Sequence, residues 1–90
     1  MIINPKHIYK SLHGHIIVPI ELYKYNYICK VFYIKDNTIF DQGLFEYNML
    51  GKCLEDKGER NAINRIYYKD IPKNLLKIIK IYKKKGRNHE

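Results

Sequence analysis

Asp70-Ile71-Pro72-Lys73-Asn74-Leu75-Leu76-Lys77-Ile78-Ile79-Lys80-Ile81-Tyr82-Lys83-Lys84-Lys85 carries the clearest signal in this 90-residue chain. Ile71, Leu75, Leu76, Ile78, Ile79 and Tyr82 recur at helical spacing and make one broad apolar face. Lys73, Lys77, Lys80 and Lys84 fall at i, i+4, i+7 and i+11, a single stripe opposite it. Asp70 suits a cap and the positive end of the helix dipole, and Pro72 suits a first turn. A helix with one apolar face must bury it against another layer. The rest of the chain has to supply that layer.

Upstream, the chemistry changes to that of strands. Ile16-Ile17-Val18 and then Tyr23 through Ile34 are rich in β-branched and aromatic residues. Pro19 between them cannot donate to a ladder and predicts an edge or a bend between two short strands. Asp36-Asn37, set between Phe32-Tyr33-Ile34 and Thr38-Ile39-Phe40, predicts a tight hairpin, because both residues tolerate positive φ. Ile63 to Tyr68 reads as a further strand, and residues 1–14 show no clear period. Phe45, Met49 and Cys53 at i, i+4 and i+8, with Leu50 and Leu54 alongside, point to a second helix ending at Gly58. Gly51 in its middle weighs against that, and a hairpin turning at Glu55-Asp56-Lys57-Gly58 is the alternative. The expected architecture is α+β: one domain over 1–90, a small antiparallel sheet packed on one face by the amphipathic C-terminal helix. Residues 85–90 are expected to form a mobile basic tail.

Composition limits what basicity means. Fifteen Ile, 14 Lys, 9 Tyr and 8 Asn, all with A/T-rich codons, supply more than half of the chain. Part of the net charge of +8 is therefore expected from coding bias alone. Its distribution says more than its sum. Residues 1–60 carry a net charge of +1, whereas residues 61–90 carry +7. A coding bias spreads lysine evenly, so the clustering of charge in the last third points to an anionic partner there.

Several function classes find no support. No apolar run is long enough to span a membrane, and the first residues lack the charged and apolar regions of a signal peptide. Two cysteines are too few for a disulfide framework, so a cytoplasmic protein is expected. His13-Gly14-His15, with His7 or Glu21 as a third ligand, is the one metal-like spacing, although histidines beside a loop glycine are usually solvated. Cys29 and Cys53 lack paired zinc spacing and read as small buried hydrophobes. The carboxylates Glu55, Asp56 and Glu59 lie in a charge-mixed stretch that reads as a solvated turn. Even so, Glu59 and Arg60 with Tyr67, Tyr68 and the histidines contain the acid, base and cation that phosphodiester cleavage needs. Such a set arises in almost any basic chain of this length, and no P-loop, dinucleotide motif or nucleophile signature accompanies it. The expectation is a non-enzymatic protein without metal or cofactor.

Strict alternation from 23 to 34 would set Tyr23, Tyr25, Tyr27, Cys29, Val31 and Tyr33 on one face. Exposed aromatics flanked by lysine stack nucleotide bases or grip a protein partner. The candidate binding residues are therefore Lys73, Lys77, Lys80, Lys83, Lys84, Lys85 and Arg87 for phosphates, with Tyr23, Tyr25 and Tyr27 as an aromatic surface.

Gly14-His15-Ile16-Ile17-Val18-Pro19-Ile20-Glu21-Leu22 resembles the G-x-I-x-[IV]-P-x-E-[LI] run of the AbrB-like swapped-hairpin transcription factors. That resemblance implies a dimer binding DNA through basic residues on interleaved strands. It covers nine residues, and Tyr23 to Val31 supplies neither the basic helical turn nor the Gly-Asp pair that follow in the family. The family's DNA-touching arginines are also absent, so no site residues carry over. Two functions stay in view. One is a nucleic-acid-binding accessory protein using the lysine stripe. The other is a compact inhibitor of a host protein, of the phage or mobile-element kind, whose target is itself nucleic-acid-binding. A homodimer is compatible with either.

Overall fold

A computed structural model describes residues 2–87, with side chains as far as Lys84. Five strands form one antiparallel sheet: β1 (Ile8–Lys10), β2 (Ile16–Tyr23), β3 (Asn26–Lys35), β4 (Thr38–Tyr47) and β5 (Asn64–Ile66). Their order across the sheet is β4-β3-β2-β1-β5. A 3₁₀ turn at Tyr68–Asp70 leads into helix α1 (Lys73–Arg87), which packs against β2. This is the expected α+β architecture, with its single long helix at the C-terminus.

The Asp36-Asn37 turn forms as predicted. Lys35 pairs with Thr38, and the two turn residues have φ of 51° and 63°, the left-handed pair that joins twisted strands tightly. The stretch 16–34 differs from expectation. It is two strands, but the break between them falls at Lys24-Tyr25 rather than at Pro19. Tyr23 pairs with Asn26 across a turn at Lys24-Tyr25, where Lys24 takes φ of 57°. Pro19 lies inside β2, paired with Cys29 on the β3 side, and the register shifts between Pro19 and Glu21. On its other side β2 meets β1 only at Ile16 and Ile17, so Pro19 leaves no β1 ladder bond unmade.

Alternation then divides the strands between two cores. Ile8, Ile16, Val18 and Phe32 face α1 and pack with Ile71, Leu75 and Ile79. Tyr9, Ile17, Tyr27, Cys29, Val31 and Tyr47 face the opposite way and pack with Ile3, Cys53 and Ala62. The sheet is thus covered on both sides, by the helix on one and by residues 48–62 on the other.

The second helix does not form. Phe45 belongs to β4, and Met49 and Leu50 lie exposed in a turn. Asn48 Oδ1 accepts hydrogen bonds from the N–H groups of Leu50 at 3.0 Å and Lys52 at 2.9 Å. That side chain satisfies the donors a helix would have used, and Gly51 at φ of 86° takes a left-handed conformation. The hairpin alternative places the turn too late, since Tyr47 bridges Cys53 across 48–52. Asp70 sits in the 3₁₀ turn rather than at the cap of α1, and the first turn of α1 holds no acidic residue. Pro72 does open the helix, its carbonyl accepting from Leu76 N–H at 2.9 Å.

Candidate functional site

Helix α1 presents two faces. Leu75 and Ile79 are fully buried, and Leu76, Ile78 and Tyr82 pack partly against the same core. Lys73, Lys77, Lys80 and Lys84 are all exposed on the outer side. The ion pairs among the described residues are Lys30–Asp41 and Asp56–Arg60, so none of these four lysines is paired with a carboxylate. Lys83 differs from them. Its Nζ donates to the Pro5 carbonyl at 2.6 Å and ties α1 to the N-terminal segment. The helix continues through Lys85 to Arg87. Of the tail expected at 85–90, residues 85–87 therefore belong to the helix, while the side chains of Lys85 and Arg87 and residues 88–90 lie outside what is described.

A groove of about 600 Å³ runs beside this helix, lined by Tyr68, Leu76, Ile79, Lys80, Lys83 and Lys84. Tyr68 and Lys83 also line an adjoining recess of about 380 Å³ with Pro5, Lys6, Pro19 and Ile20. Tyr68 donates its hydroxyl hydrogen bond to the Lys6 carbonyl at 3.0 Å. Next to it, the Arg65 guanidinium lies 4.4 Å from the centre of the Tyr67 ring. The pKa of His7 is held below its ordinary value by partial burial and then by the positive charges of Arg65 and Lys83. Lys6 and Tyr68 thus adjoin the lysine face. Nothing in the sequence places Lys6 there, and Tyr68 enters its reading only as a member of an acid/base set, not as a binding residue.

The tyrosine ladder does not assemble. Tyr23 ends β2, Tyr25 stands in the turn at 88% exposure, and Tyr27 is only 8% exposed in the core facing residues 48–62. The turn at Lys24 breaks the alternation that would have aligned them. What remains is an exposed hairpin tip of Leu22, Tyr23 and Tyr25, with Lys24 Nζ 5.5 Å from the centre of the Tyr23 ring.

The other chemical candidates are absorbed by the fold. His15 Nδ1 and Ser11 Oγ share a hydrogen bond at 2.9 Å, and that oxygen accepts from the backbone N–H groups of His13 and His15. Among the described residues no three of His, Cys, Asp and Glu are disposed to hold a metal ion. Glu55 accepts from Glu46 N–H at 2.7 Å, and Arg60 pairs with Asp56 at 3.0 Å while covering the Phe45 ring. Cys29 and Cys53 are both fully buried, and burial followed by the neighbouring Cys53 pushes the Cys29 thiol up to about 12. Such a thiol is inert at neutral pH.

Lys30 is the unexpected residue. It is 8% exposed beneath α1, with Nζ 2.8 Å from Asp41 and 4.7 Å from the centre of the Tyr82 ring. Burial lowers its pKa, but the bonds to Asp41 and Tyr82 outweigh that and hold it above the ordinary value. Asp41 is raised by burial and lowered more by Lys30 and the Gly43 N–H, so it stays below its ordinary value. The pair is charged, and it fastens β3, β4 and α1 together.

Compared with protein families, curated proteins and solved structures, the chain matches none. The likeness of residues 14–22 to the AbrB-like run therefore carries no family membership. In the fold, that run forms β2 and the loop before it, and β2 pairs with β3 of the same chain.

Proposed function

We propose that this protein binds nucleic acid through the outer face of α1. The observation that supports it most is the row of four exposed lysines, Lys73, Lys77, Lys80 and Lys84, with no carboxylate among the described residues paired to any of them. A row of this kind along a helix attracts phosphates by displacing their counterions, and the resulting affinity falls steeply with salt. The helix is held rigidly by its inner face, so the charges keep a fixed spacing, with successive lysines about 4.5–6 Å apart along the axis. No helix among the described residues is long and apolar enough to cross a membrane.

The test is binding of a labelled mixed-sequence oligonucleotide over a range of salt. Affinity should be measurable at 50 mM salt, and its logarithm should fall linearly with the logarithm of salt concentration. Replacing the four lysines with glutamine should weaken binding and flatten that slope. Absence of binding at low salt removes the proposal.

A second reading rests on the β2–β3 tip. Leu22, Tyr23 and Tyr25 expose apolar and aromatic surface that suits a protein partner better than a phosphate backbone. Capture of a partner from host lysate that survives nuclease, and is lost in Tyr25→Ala, would favour an inhibitor or adaptor acting through this tip.

A further inference from the structure

Resting on the nucleic-acid reading, we infer that the groove between α1 and Tyr68 takes a single strand rather than a duplex, with bases against Tyr68 and the apolar floor and phosphates on the lysine rim.

Two observations lead there. The first is the pairing of floor and rim. Leu76 and Ile79 form the floor of the groove, Lys80, Lys83 and Lys84 its rim, and the recess beyond adds Ile20 and Lys6. Neither lining contains a carboxylate. A duplex keeps its bases in the stack and offers this face only phosphates, which leaves an apolar floor unused. A single strand offers bases and phosphates together.

The second observation is Tyr68 itself. Its residue is 46% exposed, yet its hydroxyl is bonded to the Lys6 carbonyl at 3.0 Å. An exposed ring already fixed in place loses little freedom when a base stacks on it. An exposed aromatic ring beside a basic rim is the pairing that sequence-tolerant single-strand sites use. An acidic peptide would satisfy the rim but has no use for a flat ring, so the single strand is favoured.

The experiment measures anisotropy of a labelled 12-nucleotide oligothymidylate, a 12-base-pair duplex and a polyglutamate peptide with the intact chain. The single strand should bind about tenfold more tightly than the duplex. Tyr68→Leu keeps an apolar wall and removes the aromatic face. It should cost about tenfold for the single strand and nothing for the duplex. Tyr68→Phe, which keeps the aromatic face and loses only the bond to Lys6, should cost clearly less than Tyr68→Leu. Lys80→Glu with Lys84→Glu changes exposed residues only and should abolish single-strand binding with an unchanged thermal midpoint. Equal affinity for both nucleic acids, insensitive to Tyr68→Leu, overturns the groove while leaving the phosphate-binding face standing. Displacement of oligothymidylate by polyglutamate at equal charge also overturns it, in favour of an acidic peptide. Binding of neither nucleic acid at low salt removes the underlying reading as well.

Discussion

The two sides of the sheet are closed by different means. On the α1 side the seal is apolar and regular: Leu75 and Ile79 reach Val18 and Phe32 once per helical turn. On the other side residues 48–62 lie over Tyr27, Cys29 and Tyr47 with no regular structure beyond the Tyr47–Cys53 bridge. That segment is held by single polar bonds. Cys53 N–H reaches Asn61 Oδ1 at 2.9 Å, Tyr47 donates to the Arg60 carbonyl at 2.5 Å, and Ala62 N–H reaches the Gly51 carbonyl at 2.7 Å. A helix distributes its backbone hydrogen bonds internally and leaves packing to its side chains. An irregular cover must find a partner for each buried N–H and C=O separately. The first side is therefore vulnerable to lost volume, the second to lost hydrogen bonds.

The largest effect should come from the helix side. Leu75→Ala or Ile79→Ala opens a cavity in a fully buried core and should cost about 2–5 kcal/mol. A domain of this kind has about 5–15 kcal/mol in total, so urea unfolding should show a large fall in midpoint. On the other side, Asn61→Ala deprives the buried Cys53 N–H of its acceptor and should cost about 1–2 kcal/mol. The same variant should speed hydrogen exchange at Cys53 while leaving the amides of α1 protected. If α1 exchanges equally fast, the two sides are one cooperative unit and the contrast between them fails.

That contrast also explains what could be read in the chain. Helix α1 was legible because its faces repeat locally, and the β3–β4 hairpin because Asp36 and Asn37 both tolerate the left-handed region. The cover at 48–62 was not. Its apolar residues happen to fall at helical spacing, whereas its conformation is set by Asn48 and Asn61, whose side chains bond to backbone. The lysine face was legible with the helix that carries it. The groove was not, because Tyr68 meets the carbonyl of Lys6 across 62 positions of sequence. Tyr27 was assigned to the surface because the turn at Lys24-Tyr25 contains neither Gly nor Asn to announce it.

The Lys30–Asp41 pair tests the helix side in a subtler way. Asp41→Asn leaves a buried ammonium with only the Tyr82 ring and hydroxyl and should cost about 1–2 kcal/mol, the half-exposed Asp41 keeping the figure low. Lys30→Met should cost less, because it replaces the buried charge with apolar volume and leaves Asp41 to water. Acid should act on both sides of the sheet. Burial raises Asp41 and Asp56, but Lys30 and Gly43 N–H lower the first more, as Gly58 N–H and Arg60 do the second, so both end below the ordinary 3.8. The unfolded chain then binds more protons, so the two carboxylates should cost stability as pH drops below about 4. This adds to an earlier loss below about 6.5 from His7 and His15, whose pKa values burial holds down. Lys30, held above its ordinary value, loses its contribution only as pH rises past 10.5. A midpoint that is flat from pH 7 down to 2 would show that neither carboxylate is coupled to folding.

The smallest effect on stability should come from the same helix that gives the largest. Lys73, Lys77, Lys80 and Lys84 are exposed and unpaired with carboxylates. Exposed charges contribute little to folding, so changing all four to glutamine should shift stability by no more than about 0.5 kcal/mol. Removing four like charges along one stripe relieves repulsion between neighbours one turn apart, which sets the expected sign as slightly stabilising at low salt. At high salt that gain should vanish, because the repulsion it relieves is already screened. Urea unfolding of the variant and the parent at 20 mM and 500 mM salt measures the difference directly. A loss of more than 1 kcal/mol would place these lysines in the packing of α1, and binding defects in their variants would then report folding rather than contact. A small, salt-sensitive gain would separate the two faces of the helix, the inner one holding the fold and the outer one free to serve a partner.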